Sequence, residues 1–400
     1  MRARLIFALA LFATLPGCGS LPRLDAVPPA LTEKALIPGI PNARLWLDRD
    51  LGPLMEVVID DMNREKKTLE SEGRLTDPLP PINALAISGG GDAGAFAAGI
   101  LSGWTAHGDR PQFRVVTGTS VGALIAPFAF LGPEYDETVR RVAVSVRPEA
   151  IFARRSTLMG LASDGMASSE PLAKIIAKYV TAEILTAIAH ECARGRVLEV
   201  ATTDLDAGRQ VVWNLGAIAS SNAPGALDLF RKILIASASV PGVVSPVMFD
   251  VEIDGKRYQE MHVDGGVISQ VFLYPSQLLQ ELTKITGKPF ARAIHTYVIR
   301  NGRLQPDWNN TRRRTLDIGG RAISSLVQFQ GINDVQLLYR IARQDGADFN
   351  LAYIEPDFEF PHPGEFDPIY MRKLFDYGQA LGASGKAWHR APPGEQIQAH

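Results

Sequence analysis

The sequence predicts an α/β fold with a mostly parallel central sheet flanked by helices. From Asn83 onward, short apolar runs alternate with helical patterns: NALAIS, then AGAFAAGILSGW, then FRVVTG, then VGALIAPFAFLG. Strands that alternate with helices in this way pair in parallel, because each helix carries the chain back across a sheet face. Glycine clusters stand where a strand pattern hands over to a helix, at Gly89 to Gly91 and around Ser120. The composition, 46% hydrophobic and 21% charged over 400 residues, suits a globular chain with a large core.

The elements follow in order. MRARLIFALALFATLPGCGS begins with Arg2 and Arg4, continues with an apolar stretch from Leu5 to Leu15, and ends at Cys18. That is the layout of an export signal, predicted over residues 1–17. Leu15, Gly17 and Cys18 resemble the lipoprotein box of bacteria, which implies that Cys18 is acylated and heads the mature chain. Gly19 resembles the outer-membrane sorting position. The expected location is therefore the cell envelope, anchored in the outer membrane through lipid and facing the periplasm. No later run approaches the roughly 20 apolar residues of a membrane-spanning helix.

Residues 18–82 read as a tether and N-terminal helical arm. The stretch from Gly19 to about residue 50 is proline-rich and without period, a tether or an extended wrapping segment. Leu54, Val57, Val58, Ile59, Met62 and Leu69 then predict a helix. Residues 83–400 form the predicted main domain, with a C-terminal helical extension. Its further strands are RVLEVATTD, RQVVWNL, HTYVIRN and FNLAYIEP, and its helices run Pro171 to Cys192, Ala226 to Ser237, Thr311 to Arg343 and Asp367 to Trp388. With Cys18 acylated, Cys192 has no disulfide partner and reads as a small buried hydrophobe. His190 lies on another face of the same helix.

The formal net charge of −2 gives no general attraction for nucleic acid. Arg312, Arg313, Arg314 and Arg321 are a local basic cluster, read as a solvated helix face that could also meet lipid headgroups. Asp204 and Asp206 are read as closing a hairpin into RQVVWNL. No cluster has zinc or EF-hand spacing, so no metal is expected.

Two motifs carry chemistry. ISGGGDAGAFAAG satisfies G-x-G-x-x-G through Gly89, Gly91 and Gly94, which raises a dinucleotide site. That reading needs an acid at the end of the next strand; Asp109 precedes the strand instead. A P-loop fails for want of Gly-Lys-Ser/Thr. In GTSVG, Gly118 and Gly122 flank Ser120 between an apolar strand and an apolar helix, the context of a nucleophile elbow. A serine nucleophile needs a base and N–H donors for an oxyanion, and the glycines of the adjacent strand's turn supply such donors. For the base there are seven histidines, none in a setting like that of a Ser-His-Asp loop. Asp264, in MHVDGGVISQ before Gly265 and Gly266, is the more distinctive candidate, and an Asp-Gly-Gly turn is the plainer reading of that stretch.

GGGDAGAF, GTSVGAL, ATTDLDAGR, ASASVPGVVSPV and VDGGV, in this order over residues 89–267, resemble the patatin-like phospholipase family. The resemblance implies a three-layer fold and a lipid acyl hydrolase, phospholipase A- or lysophospholipase-like, that needs no cofactor. It implies Ser120 as nucleophile, Asp264 as base, and Gly90 with Gly91 as oxyanion donors. The expected partner is a lipid or acyl-ester substrate, with the membrane reached through the N-terminal anchor. The alternative is an envelope lipid-binding module of the same fold with little turnover. Two positions depart from the family pattern: Ala93 stands where many members carry Arg or Lys, and Gln270 where an Asn often follows.

Overall fold

The computed structural model describes residues 21–48, 51–145, 153–154 and 163–395. Cys18 and the predicted signal lie outside the described residues. The first strands are β1 (Arg44–Leu45), β2 (Ile82–Ile87), β3 (Val115–Thr119), β4 (Ala153–Arg154) and β5 (Ala167–Ser168). They are followed by β6 (Val197–Asp204), β7 (Arg209–Asn214), β8 (Val247–Ile253), β9 (Lys256–Asp264), β10 (Ile294–Arg300) and β11 (Asp348–Tyr353). The helices begin with α1 (Gly52–Ser71), α2 (Gly94–His107), α3 (Val121–Leu131), α4 (Asp136–Ser145), α5 (Glu170–Tyr179) and α6 (Ala182–Ala193). They continue with α7 (Leu215–Ser220), α8 (Ala226–Ser237), α9 (Leu278–Thr286), α10 (Thr315–Gln344) and α11 (Pro368–Ala383).

Nine strands form one sheet in the order β1-β7-β6-β3-β2-β10-β11, with the β8–β9 hairpin attached to β6 through β9. The run from β6 to β11 is parallel throughout, whereas β7, β1 and the hairpin are antiparallel. The sheet is central and mostly parallel, as predicted. Its layering can be followed along β2. Leu85 and Ile87 join the apolar cluster that includes α2, α3, α8 and α11, while Ala84 and Ala86 join the opposite cluster with Val335, Leu338 and Tyr339 of α10. Successive strand residues point to opposite faces, so an unbroken apolar strand needs helices on both sides.

One register detail positions the site. β3 pairs with β6 up to Thr119 opposite Ala201, and β9 pairs with β6 from Asp264 opposite Thr202. Because β7 occupies the other edge of β6, both neighbours lie along the same edge. β9 therefore ends where β3 ends, and Asp264 meets the residue that follows Thr119.

The six predicted strands from NALAIS to FNLAYIEP are all present. The helix predicted from Pro171 to Cys192 is instead two, α5 and α6, with the chain extended at Val180 and Thr181 between them. α10 begins at Thr315 rather than Thr311, after an extended Arg314. Asp204 does turn the chain into β7, its Oδ1 accepting from the N–H groups of Asp206 and Ala207. The β8–β9 hairpin and the helices α4 and α9 add to the predicted elements.

Of the two readings for the proline-rich stretch, its described residues wrap. Val27, Ala35, Ile37, Ile40 and Ala43 join the larger apolar cluster, and β1 extends the sheet beside β7. Arg44 is buried in an ion pair with Glu260 of β9. Among the described residues no helix is long and apolar enough to cross a membrane.

Candidate active site

Ser120 is the turn between β3 and α3. Its φ is +55° with ψ −124°, a backbone region that side chains other than glycine avoid. Holding it there costs roughly 1–3 kcal/mol. What over-determines the turn is close packing: a Cβ on Gly122 would fall 2.2 Å from the carbonyl oxygen of Ile87, and one on Gly118 2.5 Å from that of Gly122. The N–H of Ser120 donates to Ser237 Oγ at 3.0 Å, and that hydroxyl donates to the carbonyl of Ala201 at 2.7 Å. The turn is thereby pinned from β6, and Oγ projects at the N-terminus of α3, where the helix dipole favours negative charge.

The structure brings Ser120 and Asp264 together. Ser120 Oγ donates to Asp264 Oδ2 at 2.6 Å, and Asp264 Oδ1 accepts the N–H of Gly266 at 2.7 Å. The backbone N–H of Asp264 donates to Ser239 at 2.9 Å. Burial pushes the Asp264 carboxyl up to about 6, against the opposing pull of the Ser120 and Gly266 hydrogen bonds. It is thus ionised at neutral pH and close enough to neutrality to take a proton. Among the described residues no histidine hydrogen-bonds Ser120. His262, two residues before Asp264, is fully buried and occupied by Thr202 Oγ1 and Glu260.

The glycine loop lies across from this pair. A Cβ on Gly89 would sit 3.2 Å from Ser120 Cβ, and one on Gly94 2.3 Å from a methyl of Val121. Gly90 adopts a φ of +150°, and a Cβ there would lie 2.2 Å from the carbonyl oxygen of Asn301. Only glycine fits that position. The Gly89 N–H is taken by the carbonyl of Gln270 at 2.9 Å, whereas those of Gly90 and Gly91 have no acceptor among the described residues. Gln270, the departure from the family pattern, also joins the two loops, since its Nε2 donates to the carbonyl of Gly266 at 2.8 Å.

Residues with no motif of their own brace this loop. Asn301, one past β10, gives its backbone N–H to Ser88 Oγ at 2.8 Å and its Nδ2 to the Ser88 carbonyl at 2.8 Å, and its Oδ1 accepts the N–H of Ala97 at 3.1 Å. Arg300 is buried, and its Nη1 reaches Ser88 Oγ and the carbonyl of Gly89, both at 3.3 Å. Burial lowers its pKa only to about 10, so it stays charged at neutral pH. Asp92 Oδ2 accepts from the N–H of Phe366 at 2.8 Å and lies 2.8 Å from His362 Nε2. Sequence reading missed Arg300, Asn301, Ser237 and His362. For the first two a signal existed: HTYVIRN ends a parallel strand, and sites gather at the carboxyl ends of such strands.

Ser120 and Gly91 open onto a cavity that is partly exposed to solvent. Leu124 and Phe128 of α3, Val139 of α4, Ile176 of α5 and Met371 of α11 line it, and Asp92 is the one charged residue among the described lining. An apolar chamber beside a few polar groups is the usual form of a small-molecule site, here fit for a hydrocarbon chain. Elsewhere, Asp204, Glu260 and His262 lie within 4.8 Å of one another. Arg44 and the β6–β7 turn already satisfy their carboxylates. Cys192 is buried, which pushes its thiol up to about 12 and leaves it unreactive.

The family model for patatin-like phospholipase matches residues 85–275. The crystal structure of VipD from Legionella pneumophila resembles the chain with a TM-score of 0.37 and 10% identity, over 76% of this chain and 67% of VipD. No curated protein matches the chain in sequence. The matched segment holds Ser120, Asp264 and the glycine loop, and ends before Arg300, Asn301 and His362.

Proposed function

We propose, from the premise that residues 85–275 are a patatin-like phospholipase domain, a family of lipid acyl hydrolases, that the chain cleaves fatty-acyl esters with a Ser120–Asp264 dyad. The observation that carries this is the 2.6 Å hydrogen bond from Ser120 Oγ to a buried carboxylate, at the opening of an apolar cavity. As the Ser120 oxygen attacks the acyl carbonyl carbon, its proton passes to Asp264 Oδ2. The tetrahedral oxyanion accepts from the N–H groups of Gly90 and Gly91. On collapse, the leaving alkoxide takes the proton from Asp264, and the acyl group remains on Ser120. Asp264 then deprotonates a water that attacks the acyl-enzyme, releasing the fatty acid and restoring the hydroxyl.

Arg300 replaces the charge that Ala93 does not provide. Its guanidinium donates to the carbonyl of the Gly89–Gly90 peptide, whose N–H is that of Gly90. Withdrawing electron density from that carbonyl strengthens the N–H as a donor, and a preorganised cation in a dry site needs no reorganisation during reaction. The chain is further proposed to work from the envelope, held by acylated Cys18. The signal-like layout of residues 1–17 supports that reading.

The test is release of free fatty acid from phospholipid vesicles by wild type and by Ser120→Ala. Release by wild type alone is expected. Binding without release by both chains would favour the lipid-binding module instead.

A further inference from the structure

α10 is amphipathic in two opposite senses along its length. Its C-terminal half is ordinary, burying Val335, Leu338, Tyr339, Ile341 and Ala342 beneath the sheet. In its first half, over residues 315–330, the less exposed positions are Asp317, Arg321, Ser325, Gln328 and Gln330, and the first four recur at helical spacing as a polar stripe against the body. The outward side carries Leu316 at 88% exposure, Ile323 at 64% and Leu326 at 72%, with Val327 and Phe329 also exposed. A helix on a soluble surface is expected to place these residues the other way round. The exposed apolar face needs an occupant.

The surroundings select one. Trp308, just before the helix, is 85% exposed, and Arg312, Arg313 and Arg314 are exposed at its N-terminal end. Arg312 pairs with Asp317, while Arg313 and Arg314 have no ion pair among the described residues. Outward Leu, Ile and Phe, a flanking tryptophan and a basic cluster are together the signature of a helix that lies in a bilayer interface. The face also adjoins the site: Gln330 Nε2 donates to the carbonyl of Val267 at 3.2 Å, three residues after Asp264, and Val267 and Ile268 are themselves exposed.

We infer that the first half of α10, with Trp308 and the Arg313–Arg314 pair, docks on an anionic lipid bilayer and sets the cavity mouth against it. The inference rests on the lipid-hydrolase reading of the site for its purpose, but docking is read independently of turnover. A separate contact at this face, besides an N-terminal anchor, fixes the orientation of the domain on the membrane.

The experiment uses the full chain on vesicles of phosphatidylethanolamine and phosphatidylglycerol with bromine-labelled acyl chains, which quench tryptophans within the bilayer. Quenching is expected in wild type and is expected to fall in Trp308→Phe. In the Leu316→Asp, Leu326→Asp double variant, turnover of vesicle lipid should drop at least roughly tenfold, with a water-soluble short-chain ester hydrolysed at the wild-type rate. Replacing Arg313 and Arg314 by Ala should weaken binding to anionic vesicles by roughly fivefold per arginine. Equal quenching in wild type and Trp308→Phe, or undiminished vesicle turnover by the double variant, would overturn the inference. So would an unquenched chain whose concentration-dependent dimer the double variant abolishes, which would assign the face to a second copy. A wild type that hydrolyses neither substrate sinks the hydrolase reading, while the quenching comparison still decides the docking.

Discussion

The reactive side of the site and the side that braces it differ in how fully their polar groups are satisfied. Ser120 sits at a positive φ, Asp264 is buried with its carboxyl raised to about 6, and the N–H groups of Gly90 and Gly91 have no acceptor among the described residues. Across the glycine loop, Asn301 uses its backbone N–H, its amide nitrogen and its amide oxygen in three hydrogen bonds, and Asp92 accepts from the Phe366 backbone beside His362. The contrast shows how a fold keeps strained and under-bonded groups in place. They are tolerated because Asn301 and Asp92, which hold them, are hydrogen-bonded several times over to elements already committed to the core. Arg300 is the exception among the braces, its buried Nε having no hydrogen-bond partner among the described residues.

If that division is right, changes on the reactive side should abolish turnover, and changes on the bracing side should only reduce it. The largest expected effect after loss of Ser120 is that of Asp264→Asn. Turnover should fall at least about 100-fold, the range of a lost general base, with the protein still folded. In wild type the rate should rise with pH through about 6, as Asp264 ionises, and level off above it. The sign for stability is opposite. Asp264 is held above its unfolded value of 3.8, so the folded state binds the extra proton between that value and about 6, and stability declines as pH rises through this window. Asp264→Asn should therefore melt higher than wild type at pH 7. Wild-type turnover in this variant would remove the carboxylate from the reactive side.

A smaller loss is expected from Arg300→Gln. If the guanidinium strengthens the Gly90 donor, kcat should fall roughly tenfold with KM little changed, and Arg300→Lys should recover part of it by keeping the charge. A change confined to KM would make Arg300 a structural support alone. The smallest effect belongs to His362→Ala, which removes a partly exposed neighbour of Asp92. A stability loss of about 1 kcal/mol, read from the melting temperature, and less than a tenfold loss of rate are expected. A collapse of activity there would move the boundary between the two sides.

The same division explains what the sequence disclosed. Ser120 and the glycine loop were legible because each is a short strand-to-helix turn in which glycines are demanded locally by close packing. Asp264 was legible only through the Gly265-Gly266 pair that follows it and the family resemblance of VDGGV. Its placement beside Ser120 depends on the register by which β9 continues the edge of β6 where β3 stops, and no local pattern encodes that. The hairpin that delivers it did leave a trace, for Asp254 and Gly255 form a tight turn with φ of +50° and +78° between alternating strands. Arg300, Asn301 and His362 are long-range supports, chosen by the space behind the loop. Gly331 illustrates this: a Cβ there would lie 2.6 Å from the Arg300 guanidinium carbon, so a glycine on α10 makes room for a side chain on β10. The break between α5 and α6 escaped because apolar periodicity continues across it, and only the backbone at Val180 and Thr181 departs from the helix.

The central claim is that Ser120 is an activated nucleophile, and a fluorophosphonate probe on the folded chain tests it most directly. A single phosphonylated residue is expected, located by peptide mass spectrometry at Ser120, absent in Ser120→Ala and formed at least about 100-fold more slowly in Asp264→Asn. A wild-type chain that stays unlabelled, or a label that persists in Ser120→Ala, would contradict it.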